Sequence, residues 1–326
     1  MAKNAEFYNS INTEEKWFNS SLDNADIFYR LWKPTDSTRI KSVIQLTHGI
    51  CEHSNRYDEF ARELSKNGHL VFGIDLRGHG KTGIAANQLG RAPIDFWDRM
   101  LSDINQLTQI IKTHYKDIPL IAFGHSMGSV LTQSHMQRNG TSLDAAILSG
   151  TLGNLPGGLD IPMKELKCLA IDYPDDVSVP FQIAMQNLNS MIAKNSNSEV
   201  AEMWMTTSIE ETRKFLKDKL SGKPFTNAMM FSVFDGFKKT WNKSSEMNIP
   251  KELPILICAG SADPISYNGK TCRNLIKRYI NNQLEHISFN FYFNDRHEVW
   301  NGNYKNTFLK DTLNFIDAVL SRSSNH

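Results

Sequence analysis

The sequence predicts an α/β fold, a mostly parallel sheet with helices on both faces, and three observations predict it. Short apolar runs alternate with stretches of helical spacing along most of the chain. That alternation stops once, for about 100 residues between Thr151 and Lys251. A serine flanked by glycines stands where one apolar run gives way to a helix.

The elements follow in order. The first forty residues read as β-rich, with Asp26 to Trp32 (DIFYRLW) as a strand. Ser42 to Leu46, His69 to Ile74, Pro119 to Phe123, Ala145 to Leu148, Leu253 to Ala259 and Ile287 to Phe293 are short runs rich in β-branched and aromatic residues, the signature of buried strands. Between them, Tyr57 to Asn67 places Phe60, Ala61 and Leu64 on one helical face. Ile94 to His114 repeats Trp97, Leu101, Ile104, Leu107 and Ile111. A last helix, Thr307 to Leu320, pairs Phe308, Leu309, Leu313, Ile316 and Leu320. Connections in compact α/β units are short, so the strandless segment must carry its own structure. Ser208-Ile-Glu-Glu211 opens a helix with a capping box, and Met230, Val233, Phe234, Phe237 and Trp241 recur at helical spacing. The expected organisation is a core domain from 1–151 and 251–326, with 152–250 inserted as a helical cap over the C-terminal edge of the sheet. Eight of the twelve methionines fall in that insertion.

Composition narrows the function. The 326 residues are 40% apolar and 22% charged, ordinary for a globular protein. Lys and Arg number 36 against 35 Asp and Glu, so nothing supports a nucleic-acid partner. The start has no apolar signal segment, and no run is long enough to span a membrane. Cys51, Cys168, Cys258 and Cys272 are scattered without a Cys-x-x-Cys pair, which argues against a disulfide framework or a metal site. The expectation is a cytoplasmic protein without metal or cofactor. Transient membrane-surface contact through the cap and the oligomeric state stay open.

Gly124-His125-Ser126-Met127-Gly128 lies between the strand PLIAF and a helix. A serine on such a turn is lifted above the sheet edge, and the glycines avoid clashes. Its hydroxyl needs a base, and the base an orienting acid. Asp263 follows the strand LPILICA and His297 follows ISFNFYF, at the same sheet edge as Ser126. Asp295 is a rival acid, but as a near neighbour of His297 it should point elsewhere. Acyl transfer also needs two backbone N–H donors for the oxyanion. These should come from Met127, after the nucleophile, and Ile50, after His48-Gly49. Cys51 beside that loop reads as a small buried residue.

Taken together, HGICEHSNRY from His48, DLRGHGKT from Asp75, GHSMGS from Gly124, KPFTN from Lys223, GSADPIS from Gly260 and DRHEVWN from Asp295 resemble a known family. The chain is similar to α/β-hydrolases of the monoacylglycerol lipase and bacterial lysophospholipase group, classed by sequence with serine aminopeptidases. The resemblance implies an eight-stranded sheet, a cap after strand six, and Ser126, Asp263 and His297 as triad with Ile50 and Met127 as oxyanion donors. It also implies hydrolysis of single-acyl-chain esters without metal or cofactor. The chain departs from the family in Lys81-Thr82 after Gly-His-Gly, where x-Ser is usual; threonine keeps the hydroxyl.

Three functions compete. A carboxylic ester hydrolase acting on monoacylglycerol or lysophospholipid would use the methionine-rich cap as an acyl pocket, with Met203, Met229, Met230 and Phe234 as lining. An aminopeptidase or amidase with the same triad would need inward carboxylates such as Glu199, Glu202, Asp175 or Asp176. A catalytically dead binding module would lack a triad member, and none is missing.

Overall fold

The computed structural model describes residues 12–34, 36, 39–154, 163–193 and 204–323. Its strands are β1 (Thr13–Asn19), β2 (Asp26–Trp32), β3 (Ser42–Thr47), β4 (His69–Ile74), β5 (Leu120–His125), β6 (Ala145–Ser149), β7 (Ile255–Gly260) and β8 (Ile287–Tyr292). They form one sheet in the order β1-β2-β4-β3-β5-β6-β7-β8. The β1-β2 and β2-β4 pairings are antiparallel, and all the others are parallel. β1 is the one strand without an apolar run to announce it. It is an edge strand, and its charges answer those on and just after the neighbouring strand β2: Glu15 meets Arg30 at 2.8 Å and Glu14 meets Lys33 at 2.5 Å. Charge at a sheet edge also discourages pairing with another molecule.

The helices are α1 (Asp58–Lys66), α2 (Gly80–Ala85), α3 (Phe96–His114), α4 (Met127–Asn139), α5 (Met163–Asp172), α6 (Val179–Ala193), α7 (Ile209–Lys217), α8 (Asn227–Thr240), the short α9 (Lys243–Glu246), α10 (Lys270–Asn281) and α11 (Lys305–Ser323). The two-residue period of β3 divides the core. Ile44 and Leu46 pack with Phe60 and Leu64 of α1 and with Phe308 and Ile316 of α11. Val43 faces the opposite layer, built from Leu101 and Ile104 of α3, Val130 of α4 and Leu275 of α10. The sheet is thus covered on both faces, which a parallel sheet requires.

Between β6 and β7 the described residues form α5 to α9 and add no strand to the sheet, only an isolated bridge from Val177 to Thr226. Half of the expected capping box is there: the Ser208 side chain accepts from Glu211 N at 3.3 Å, while Ser208 N donates to Thr206 Oγ1 at 3.1 Å instead of to Glu211. The Met230–Trp241 stripe lies on α8 and joins the main core. A side chain at Gly236 would come within 2.0 Å of Trp97, so glycine is what lets α8 lie against α3. No described helix is long and apolar enough to cross a membrane.

Candidate active site

The turn from β5 to α4 holds Ser126 at φ 53°, ψ −122°, a backbone that a non-glycine residue adopts only under strain. The flanking glycines keep their ordinary backbone and serve by being small. A Cβ on Gly128 would lie 2.2 Å from Thr47 O, and one on Gly124 would lie 2.4 Å from Gly128 O. Only bare backbone lets α4 start this close to the end of β3.

β7 and β8 deliver the other two residues to the same edge. Asp263 is fully buried, and His297 is 3% exposed. His297 Nδ1 lies 3.0 Å from Asp263 Oδ2, and since an ionised carboxylate only accepts, the proton belongs on Nδ1 and Nε2 is left basic. Burial works against charging this imidazole, but the Asp263 carboxylate, then Glu298 and Glu52, outweigh it and raise its pKa above the ordinary value. Asp295 takes Thr207 Oγ1 at 3.0 Å and the backbone N–H groups of Arg296 and Tyr304, so the rival acid is engaged elsewhere.

The loop after β3 is set by a histidine and a glutamate. Leu76 N donates to His48 Nε2 at 3.0 Å, so Nδ1 carries the proton and donates to Gly49 O at 2.7 Å. Burial lowers the His48 pKa to about 4, keeping the ring neutral. Gly49 N donates to Glu52 Oε1 at 2.5 Å. Neither the Ile50 N–H nor the Met127 N–H has an acceptor among the described residues. The family's usual serine after Gly-His-Gly is Thr82 here, and its hydroxyl donates to Asp75 O at 2.7 Å and accepts from Phe28 N at 2.9 Å.

Sequence reasoning missed a buried ionic bridge beside these residues. Arg56 grips Glu298 with two bonds, 2.7 and 2.8 Å, and reaches Glu52 Oε2 at 2.6 Å. Its guanidinium lies 4.9 Å from the ring of Phe215 and 5.6 Å from that of Trp300. Glu52 belongs to the loop after β3, and Glu298 follows His297, so Arg56 ties the two loops together. Burial disfavours the Glu298 carboxylate, yet Arg56 outweighs it and holds its pKa down to about 2. The signal was present in Glu52, Arg56 and Glu298 of the quoted motifs, but nothing in their spacing says that they meet.

Comparison with known proteins agrees with this architecture. The profile of a family described as serine aminopeptidase, S33, matches residues 38–303. The chain belongs to the S33 family of serine aminopeptidases. Monoglyceride lipase of Rattus norvegicus is 28% identical over 184 residues, 55% of this chain and 56% of that protein. A monoglyceride lipase homolog of Monkeypox virus is 35% identical over 41% of this chain and 46% of its own length. These matches span about half the length of the relatives. A structure described as a lipase in its open form is 25% identical, with a TM-score of 0.84 over 95% of this chain and 99% of that one. Monoglyceride lipase from Saccharomyces cerevisiae, at 18% identity, has a TM-score of 0.70 over 93% and 94% of the two chains. The fold is that of the α/β-hydrolases.

In this S33 chain two cavities meet at Ser126. One, of about 420 Å³, is lined by His297, Glu52, Arg56, Glu298, Lys223 and Gln182 among others. The second, of about 390 Å³, is almost wholly apolar, with Leu152, Met230, Val233, Phe234, Phe237 and Trp241. Ile50, Ser126, Phe181, Met185 and Trp204 border both. The helices between β6 and β7 therefore supply much of the wall. Trp204 lies 5.7 Å from the His297 ring, and Glu298 N donates to Met205 O at 2.6 Å.

Of the four expected pocket residues, Met230 and Phe234 line the apolar cavity. Met229 lines neither cavity; it is fully buried on α8 and directed at Gly78, where an added Cβ would meet its methyl at 2.9 Å. Adjacent helical residues point about 100° apart, and here that step carries Met229 away from the cavity that Met230 lines. Met203 lies outside the described residues, as do Glu199 and Glu202. Asp175 and Asp176 are exposed and line neither cavity. Cys51 is half-buried at φ 59° and borders the polar cavity, rather than being buried in a core. His125 also borders it; burial lowers its pKa to about 4, so it stays neutral beside His297.

Proposed function

We propose that this chain is a serine hydrolase that cleaves carboxylic esters of single-acyl-chain lipids, monoacylglycerol or lysophospholipid, through an acyl-enzyme. The observation that carries the reading is the meeting of a polar and an apolar cavity at Ser126, beside the His297–Asp263 pair. Ser126 Oγ attacks the ester carbonyl while His297 Nε2 takes its proton, and Asp263 holds the Nδ1–H and steadies the imidazolium. The oxyanion is received by the N–H groups of Ile50 and Met127. The alkoxide leaves with the proton from His297, and water then repeats the sequence to release the fatty acid. The acyl chain lies in the apolar cavity and the alcohol in the polar one.

The same reading makes 152–250 a cap over the active site, with the core domain formed by 1–151 and 251–326. The names of the relatives support an acylglycerol substrate. The aminopeptidase alternative has less support, because among the described residues the only carboxylates lining the cavities, Glu52 and Glu298, already serve Arg56.

Esters of p-nitrophenol with short, medium and long acyl chains, assayed beside amino-acid anilides, test this. A burst of p-nitrophenol equal to the enzyme concentration, abolished in Ser126→Ala, is expected. Turnover of anilides without esters, or full activity in Ser126→Ala, would overturn it.

A further inference from the structure

The polar cavity is lined by four carboxylate or cationic side chains, Glu52, Arg56, Glu298 and Lys223, beside His125, His297 and Cys51. Three of them are bound to one another. Glu52 accepts from Gly49 N, Tyr57 Oη and Arg56, and Glu298 accepts from Arg56 twice and from Asn301. Lys223 stands apart. It is half-buried and has no carboxylate partner among the described residues. Its position is fixed by the loop that carries Ile50: Gly222 N donates to Cys51 O at 2.8 Å, the Cys51 thiol lies 3.2 Å from Lys223 O, and His53 Nε2 meets Asp218 at 2.6 Å. The lysine is therefore anchored one residue from the expected oxyanion donor, in the cavity away from the apolar one. Gln182 and Gln186, one turn apart on α6, line the same space and bring uncharged amide donors.

A lysine without a counter-ion in a partly enclosed cavity offers three donors and a charge to whatever enters. With an acyl chain in the apolar cavity and its ester at Ser126, the alcohol side of the substrate must enter the polar cavity. In an acylglycerol phosphate the phosphate lies on that side, a few bonds from the ester. We propose that Lys223 makes the polar cavity a head-group site selective for single-chain lipids bearing a phosphate over neutral monoacylglycerols. This rests on the ester-hydrolase reading above.

The test compares 1-lauroylglycerol with 1-lauroylglycerol 3-phosphate, matched in chain length, by fatty-acid release from the full chain. The expected ratio of kcat/KM favours the phosphate. In Lys223→Gln that ratio should fall by roughly tenfold or more, the range expected for losing a charge-assisted hydrogen bond, chiefly through KM. Lys223→Glu should lower it further and Lys223→Arg should restore most of it. For the unaltered chain, raising ionic strength should slow the phosphate substrate selectively. Because a ratio cancels any loss of folded enzyme, a ratio unchanged within twofold in Lys223→Gln overturns the proposal. Preference for the neutral lipid in the unaltered chain overturns it too. In both cases hydrolysis that is lost in Ser126→Ala leaves the ester-hydrolase reading standing. Release from neither substrate removes that reading, and this proposal with it.

Discussion

Asp263 can be tested apart from the rest of the site because only one of its oxygens meets the imidazole. Oδ2 is 3.0 Å from His297 Nδ1, while Oδ1 accepts from Ile265 N at 2.9 Å. Asp263→Asn keeps the shape but can present an N–H to Nδ1, favouring the wrong tautomer. A fall in kcat of about 10³- to 10⁴-fold is expected. The pH profile gives a second reading. His297 must be neutral to act as base, and its pKa is raised, so kcat/KM should rise with pH through a midpoint above the usual histidine value of about 6.5. Removing the Asp263 charge should move that midpoint down. An unchanged limb in Asp263→Asn would mean that another group titrates there.

At the scale of elements, Arg56 joins two loops that belong to different strands. Its carboxylate partners are buried, so removing the guanidinium strands two negative charges. Arg56→Met should cost about 3–5 kcal/mol of stability, read from denaturant unfolding. A cost below 1 kcal/mol would mean that the bridge carries little. The outer face of α6 makes a different prediction. Val179 is 58% exposed and Ile183 51%, and the helix has no charged residue. If this face touches lipid surfaces, Ile183→Glu should slow hydrolysis of monoacyl lipid in vesicles several-fold and leave a soluble short-chain ester alone. Equal effects on both substrates would rule that contact out.

The whole molecule carries a set of neutral buried histidines. Burial lowers His48, His69, His125 and His135 to about 4 and His79 to about 3. The unfolded chain protonates near 6.5, so between there and 4 it binds protons that the folded chain refuses. Their contribution is intact above 6.5 and is lost as pH falls towards 4, at up to roughly 1.4 kcal/mol per pH unit for each. Glu298, held at about 2, adds loss in the same direction at lower pH. His297, raised, acts in the opposite sense: its contribution is present at low pH and fades as pH rises through its folded pKa. Melting curves should therefore show Tm falling steadily from pH 6.5 to 4.5, with proton uptake on unfolding near pH 5. A flat Tm across that interval would contradict the assignment of these rings as neutral.

The sequence by itself determined the parallel sheet, since short apolar runs with helical stripes between them allow few other arrangements. It also placed Ser126, Asp263 and His297 at one sheet edge, because each follows a recognisable strand and those strand ends share that edge. It missed β1, whose charged residues pair with their neighbours in place of filling a core. Only the tertiary structure decided which side chains face one another. The Glu52–Arg56–Glu298 bridge joins residues 242 positions apart, from Arg56 to Glu298. Met229 and Met230 are neighbours in sequence, yet one is directed at Gly78 and the other lines the apolar cavity. Periodicity reports which face of an element is buried, but not what buries it; that depends on how α8 is seated on α3, and the seat is set by Gly236 against Trp97.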